Sequence, residues 1–197
     1  MTQTEQQRAA KEFVAFWKDK GDEKQETSRF WIGLLDSVLG IKNASNYIEF
    51  EKPVKLKHTS FIDGYIASTK VLIEQKGSKI DLAKAYPQSD GANLTAFQQA
   101  KRYADELPYD LRPRWIVVSN FTEIHVHDMN QPHSEPEIIL LENLEKSFIG
   151  YNFWWTRETK KSAEKKKFPY RREFWWANCM TPSSRNILNQ MNIVFGA

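Results

Sequence analysis

The 197 residues predict an α/β fold, a mixed sheet flanked by helices. Three observations carry this. Helical periodicity fills most of residues 4–39. Two near-continuous apolar runs of strand length follow, at 70–74 and 114–118. An amphipathic stretch, 92–107, lies between those runs. A buried strand, a crossover helix and a second buried strand make a parallel pair within a larger sheet.

Residues 4–19 are rich in Glu, Gln, Ala and Lys, with Phe13, Phe16 and Trp17 at helical spacing, and Gly21-Asp22 ends the helix. A second helix is expected over 24–39. Phe30, Trp31, Leu34, Leu35 and Val38 form its apolar stripe, and Gly40 stops it. The period then changes. Residues 47–51 alternate, 61–67 form a short apolar segment, and 70–74 read as a strand buried on both faces, giving three successive strands of one sheet. A polar loop with Pro87 and Gly91 precedes the helix at 92–107, and Pro108 and Pro113 bracket the next connection. Strand 114–118 and an alternating return at 123–128 follow. A short strand at 138–140 and a helical turn near Asn143 close the body. No internal repeat is present.

Net charge is +3, unevenly spread. Residues 1–150 hold 19 Lys and Arg against 22 Asp and Glu, whereas residues 151–197 hold 9 against 3. The body is therefore not a general polyanion binder, although a local basic patch is compatible with DNA. One cysteine, Cys179, excludes an intrachain disulfide and a multi-Cys zinc site. The polar start lacks the apolar stretch of a signal peptide, and no run approaches the ~18 apolar residues that cross a bilayer. The expectation is a soluble, cytoplasmic protein with no membrane partner.

The chemistry lies in Asp63 and, after ten intervening residues, in Glu74-Gln75-Lys76. Two carboxylates on neighbouring strands can share a hard cation such as Mg²⁺, with Mn²⁺ as a substitute. Lys76, two residues after Glu74, projects on the same face, while Gln75 faces away and offers its main-chain carbonyl as a further ligand. Asp63, Glu74 and Gln75 are thus the expected metal set, and Lys76 the group that orients or deprotonates water. This is the PD-(D/E)xK pattern of phosphodiesterases. The plainer alternative is that Asp63-Gly64 makes a turn and Glu-Gln-Lys is a solvated strand end.

A second feature favours function. Gln99 and Tyr103 are i, i+4 on the following helix and share a face, a Gln-x-x-x-Tyr element found beside such sites. An upstream helical acid often completes them. Glu23 and Glu26 are the candidates, Glu23 being the one assigned to the site, although glutamates abound on helices and an ordinary surface role is the plainer reading of either. Lys79, Lys84, Lys101 and Arg102 serve equally as phosphate contacts or ordinary surface charges. His58, His125, His127 and His133 have no metal-ligand spacing; the alternation of His125 and His127 points to packing. There is no phosphate-binding glycine loop and no nucleophile elbow.

Beyond the motif, the stretches RFWIGLLDSVLGI, FIDGYIASTKVLIEQKG, LTAFQQAKRYADELP and RPRWIVVSNFTEIHVHDM resemble the N-terminal domain of fused restriction–modification DNA methyltransferases of the MmeI-like, type IIL kind. The resemblance covers about residues 20–150. It implies a restriction-endonuclease-like sheet and a metal-dependent endonuclease acting on double-stranded DNA. Asp63, Glu74 and Lys76 become its cleavage residues, supported by Gln99. On general grounds a homodimer is expected, since cutting both strands needs two sites, although no residue marks an interface. An inactive remnant, or a DNA-binding or interaction module, is the rival reading.

No methyltransferase motif or target-recognition region follows, so the expectation is a chain truncated after a nuclease domain at 1–152. Residues 153–197 change character: four of the seven tryptophans fall there, beside a Lys/Arg-rich run. A basic, aromatic DNA-binding extension is one reading. The preferred one is a shifted reading frame near Phe153. The codons of the segment beginning Trp175-Trp176, read one base earlier, give an LVGKLYD-like helix opening of the kind the resemblance implies. Such a tail is expected to be non-native and poorly ordered.

Overall fold

The computed structural model describes residues 1–55 and 59–147. Helix α1, Gln3–Trp17, starts with a reciprocal cap: Glu5 N–H donates to Thr2 Oγ1 (3.2 Å) and Thr2 N–H donates to Glu5 Oε2 (2.7 Å). Helix α2, Glu23–Gly33, is capped by Asp22, which accepts from the Gln25 N–H at 3.0 Å. It does not continue regularly to residue 39 as expected. Leu34–Val38 form a wider, π-type turn, which keeps Leu34, Leu35 and Val38 all buried.

Six strands form one sheet in the order β1-β2-β3-β6-β7-β8: Glu49–Lys55, Thr59–Ile66, Val71–Gln75, Trp115–Ser119, Glu123–Asp128 and Glu137–Leu140. Only the central pair, β3 and β6, is parallel, with Glu74 opposite Val118 and Gln75 opposite Ser119. Both strands are buried throughout, as their apolar sequences require. The edge strand β1 runs through Pro53, which an edge tolerates because its missing N–H need not pair.

The crossover between β3 and β6 contains more than the expected loop and helix. A small hairpin, β4 (Tyr86–Pro87) and β5 (Asn93–Leu94), comes first. Helix α3 then begins at Ala96, because Thr95 and Gln98 form a second reciprocal cap. Its buried face is Ala96, Ala100 and Ala104, small residues at i, i+4 and i+8 that let the helix lie close on the sheet. Residues 141–147 close the described body with a 3₁₀ turn (Leu141–Asn143) and the short α4, Leu144–Ser147.

Two cores result, one on each face of the sheet. Helices α1 and α2 cover the first with Phe13, Trp17, Phe30 and Trp31 over Ile73, Val117 and Phe121. Helix α3 covers the second, over Ile62, Tyr65, Leu72, Ile116 and Val118. Phe121, in the β6–β7 turn, is buried with a left-handed backbone (φ 67°). Its ring stacks on Trp17 (5.9 Å) and meets Phe30 edge-on (5.1 Å), holding both helices to the sheet. Among the described residues, no helix is long and apolar enough to cross a membrane.

The alanine face of α3 gives a test of this packing. Ala100→Leu forces a larger side chain between helix and sheet and is expected to lower unfolding free energy by about 1–3 kcal/mol in urea titration. Unchanged stability would show that α3 does not press on Leu72 and Ile116 as described.

Candidate active site

The carboxyl ends of β3 and β6 lie at the centre of the sheet, and the expected residues collect there. Asp63-Gly64 is not a turn; both residues lie within β2. The β2–β3 ladder pairs Ile66 with Val71, Tyr65 with Leu72 and Gly64 with Ile73, and ends there. One step further, the Asp63 side chain takes over from the backbone: Gln75 N–H donates to Asp63 Oδ2 at 2.7 Å. Ile62 and Tyr65, three residues apart, pack into the same core, so side-chain alternation slips between them. Across from Asp63 on β1, Glu51 holds a left-handed φ of 52°. A Cβ on Gly64 would lie 3.3 Å from Ile48 and Ile73, so glycine fits this close passage.

Glu74 is 1% exposed. Its Oε1 accepts from Lys76 Nζ at 2.6 Å, whereas Oε2 is buried with no hydrogen-bond partner. Burial, with the Asp63 charge adding to it, pushes the Glu74 carboxyl up to about 8 against the pull of Lys76. Burial likewise raises Asp63 to about 6, opposed by the Gln75 N–H and by Lys76. Burial alone would lower Lys76, but Glu74, Glu23 and Asp63 more than offset it and hold the ammonium above its ordinary value.

Glu23, first residue of α2, reaches this cluster: its Oε2 accepts the Gly77 N–H at 3.0 Å. Glu26 does not. It turns back to accept the Gly21 and Asp22 N–H groups at 2.7 and 2.9 Å. Loop and strand meet closely here, since Ser78 N–H donates to Gly21 O at 3.1 Å and a Cβ on Gly21 would lie 2.4 Å from Ser78 Cβ. From α3, Gln99 Nε2 donates to the Tyr103 hydroxyl at 3.0 Å. Burial raises the Tyr103 hydroxyl, and the charges of Glu74 and Asp63 act on it in the same direction.

Gln75 was expected to contribute only its carbonyl, yet its side chain is fully buried and bonded. Trp31 Nε1 donates to Gln75 Oε1 at 2.8 Å, and Gln75 Nε2 donates to Lys76 O (3.0 Å) and Ser119 O (3.2 Å). Sequence reasoning did not find Trp31 or Ser119. The only signal was an amide at the middle position of Glu-x-Lys, following a strand buried on both faces. The basic residues disperse: Lys101 pairs with Asp105 and Arg102 with Asp90. His127 stacks on Phe97 (3.8 Å) and burial lowers it to about 4, a packing role; His125 bonds Glu123 at 3.0 Å. His58 lies outside the described residues.

Among the described residues, no group of three or more His, Cys, Asp and Glu is arranged to hold a metal ion. Two carboxylates with a main-chain carbonyl nevertheless suit Mg²⁺, which commonly binds one or two carboxylates and keeps several waters. The orphaned Glu74 Oε2, and two carboxyls that burial holds above their ordinary values, are what such a cation would satisfy.

A family model described as "MmeI, N-terminal domain" matches residues 8–172. The matched range runs past residue 153, where the sequence reading ends the nuclease domain; residues 148–197 lie outside the described part of the structure. No curated protein and no solved structure matches the chain.

The raised carboxyls set a pH dependence. Asp63 and Glu74 bind protons more tightly folded than unfolded, so their contribution is complete below their ordinary values, 3.8 and 4.5. It is lost as pH rises through about 6 and about 8. In EDTA, the urea midpoint is expected to fall between about pH 5 and about pH 8.5, and Glu74→Gln is expected to flatten that fall. A midpoint equally pH-dependent in Glu74→Gln would mean that Glu74 is not the group responsible.

Proposed function

We propose that this chain, which belongs to the family of MmeI N-terminal domains and is thereby a restriction-enzyme-related module, is a Mg²⁺-dependent endonuclease domain that hydrolyses DNA phosphodiester bonds. The observation that carries this reading is the buried, unpartnered Glu74 Oε2, set beside Asp63 and Lys76 at the end of β3. Asp63, Glu74 and the Gln75 carbonyl would hold Mg²⁺ or Mn²⁺. Bound there, the cation neutralises phosphate charge and makes water a better nucleophile.

The protein's own groups supply the rest. Lys76, whose proton affinity is raised by three carboxylates, works as a charged donor. It orients the attacking water and stabilises charge building on the phosphate oxygens. In the net reaction a P–O bond forms to water and the P–O bond to the leaving sugar oxygen breaks. Glu23, through the Gly77 N–H, fixes the backbone just after Lys76. The Tyr103 hydroxyl accepts from Gln99 and keeps its own proton to donate to a DNA phosphate. Cutting both strands of double-stranded DNA calls for two such sites, and a homodimer supplies them.

The direct test is nicking and linearisation of a plasmid in Mg²⁺ or Mn²⁺. Asp63→Ala and Lys76→Ala are each expected to lower the rate by about 100-fold or more. Cutting that survives both changes, or persists in EDTA, would refute the assignment. No cutting by the folded wild type would favour an inactive domain.

A further inference from the structure

The main chain of Lys76 is held at both of its polar atoms. Its N–H donates to Ser119 O at 2.7 Å, and its carbonyl accepts from Gln75 Nε2 at 3.0 Å. On one side the Gln75 N–H is tied to Asp63, and on the other the Gly77 N–H is tied to Glu23. Gln75 is therefore bonded to β2 through Asp63, to β6 through Ser119, to Lys76 itself, and to α2 through the Trp31 indole. It is 0% exposed, as is Trp31, so water does not replace these bonds.

Trp31 lies two turns beyond Glu23 on α2, with Thr27 between them. One helix thus grips the strand exit at two points, Trp31 on Gln75 and Glu23 on Gly77, with Lys76 between the grips.

We infer that Gln75, anchored by Trp31, is a positioning residue that joins α2 to the Glu-x-Lys strand, so that Glu23 and Lys76 hold one fixed relation. The amide is suited to this and a carboxylate is not. Its oxygen accepts the indole proton while its NH₂ group donates to two carbonyls at once, which Glu at this position could not do when ionised. Leu or Met would leave the Trp31 N–H without this buried acceptor. The inference rests on the nuclease reading for its catalytic consequence but not for its structural one.

Trp31→Phe removes the indole donor and keeps an aromatic ring; Gln75→Met keeps bulk and removes the amide. Both, and the double variant, are compared with the wild-type full chain below all melting points. Amide hydrogen exchange at Lys76 and Gly77 is expected to quicken about tenfold in each single variant, with Val117 unchanged. For plasmid nicking in Mg²⁺, kcat is expected to fall about tenfold at unchanged KM, with the double variant no slower than Gln75→Met alone. Unchanged exchange at Lys76 and Gly77 overturns the inference. So does loosened exchange with wild-type kcat, or additive losses in the double variant. A wild type that cuts no DNA would count against the nuclease reading alone, and the exchange measurement would still decide the role of Gln75.

Discussion

Glu74 sits in a strand that the sheet buries on both faces, and the surrounding architecture follows from that choice. A carboxylate without water is costly unless it is paired, and breaking a buried pair costs more than forming one gains. Lys76 answers one of the two oxygens, from just past the end of the same strand. The other has no partner, and Asp63 brings a second carboxyl to the same place. The result is an imbalance of two buried carboxyls against one lysine, and burial holds both carboxyls above their ordinary values. The proposed divalent cation would relieve that imbalance.

Rigid elements hold the imbalance in place. Phe121, in its strained turn, ties Trp17 and Phe30, and so α1 and α2, to the end of β6. Two residues before it, Ser119 receives both the Lys76 N–H and the Gln75 amide. On the opposite face, the alanine stripe of α3 brings Gln99 and Tyr103 down to the same strand ends. Each side chain of the site is therefore carried by an element whose position a core already fixes. Such support is what keeps a constellation of charges within reacting geometry.

Local patterns made much of this readable. The strand at 123–128 and the buried strands β3 and β6 follow from alternation or apolar runs that the sheet reproduces almost residue for residue. Asp63, Glu74 and Lys76 were legible because period-two geometry fixes which residues share a face. Other features depend on partners distant in sequence. Glu23 and Glu26 are equivalent on a helix surface, and only the Gly77 and Gly21 amides separate their roles. Within the strand expected at 61–67, the need for glycine at 64 emerges only from Ile48 and Ile73 beside it. Thr95-x-x-Gln98 is a local signal, a capping motif that starts the helix later than the expected residue 92. The bond between Trp31 and Gln75 spans 44 residues and has no local signature. The frame-shifted tail expected from residue 153 lies outside the described residues.

Whether Asp63 and Glu74 form a divalent-cation site is the question on which the account turns. Titrating the full chain with Mn²⁺ and reading free Mn²⁺ by electron paramagnetic resonance addresses it without requiring catalysis. A saturable site is expected in the wild type, weakened at least about tenfold by either Asp63→Asn or Glu74→Gln with the fold retained. Equal Mn²⁺ binding by all three proteins, or none by the wild type, would contradict it.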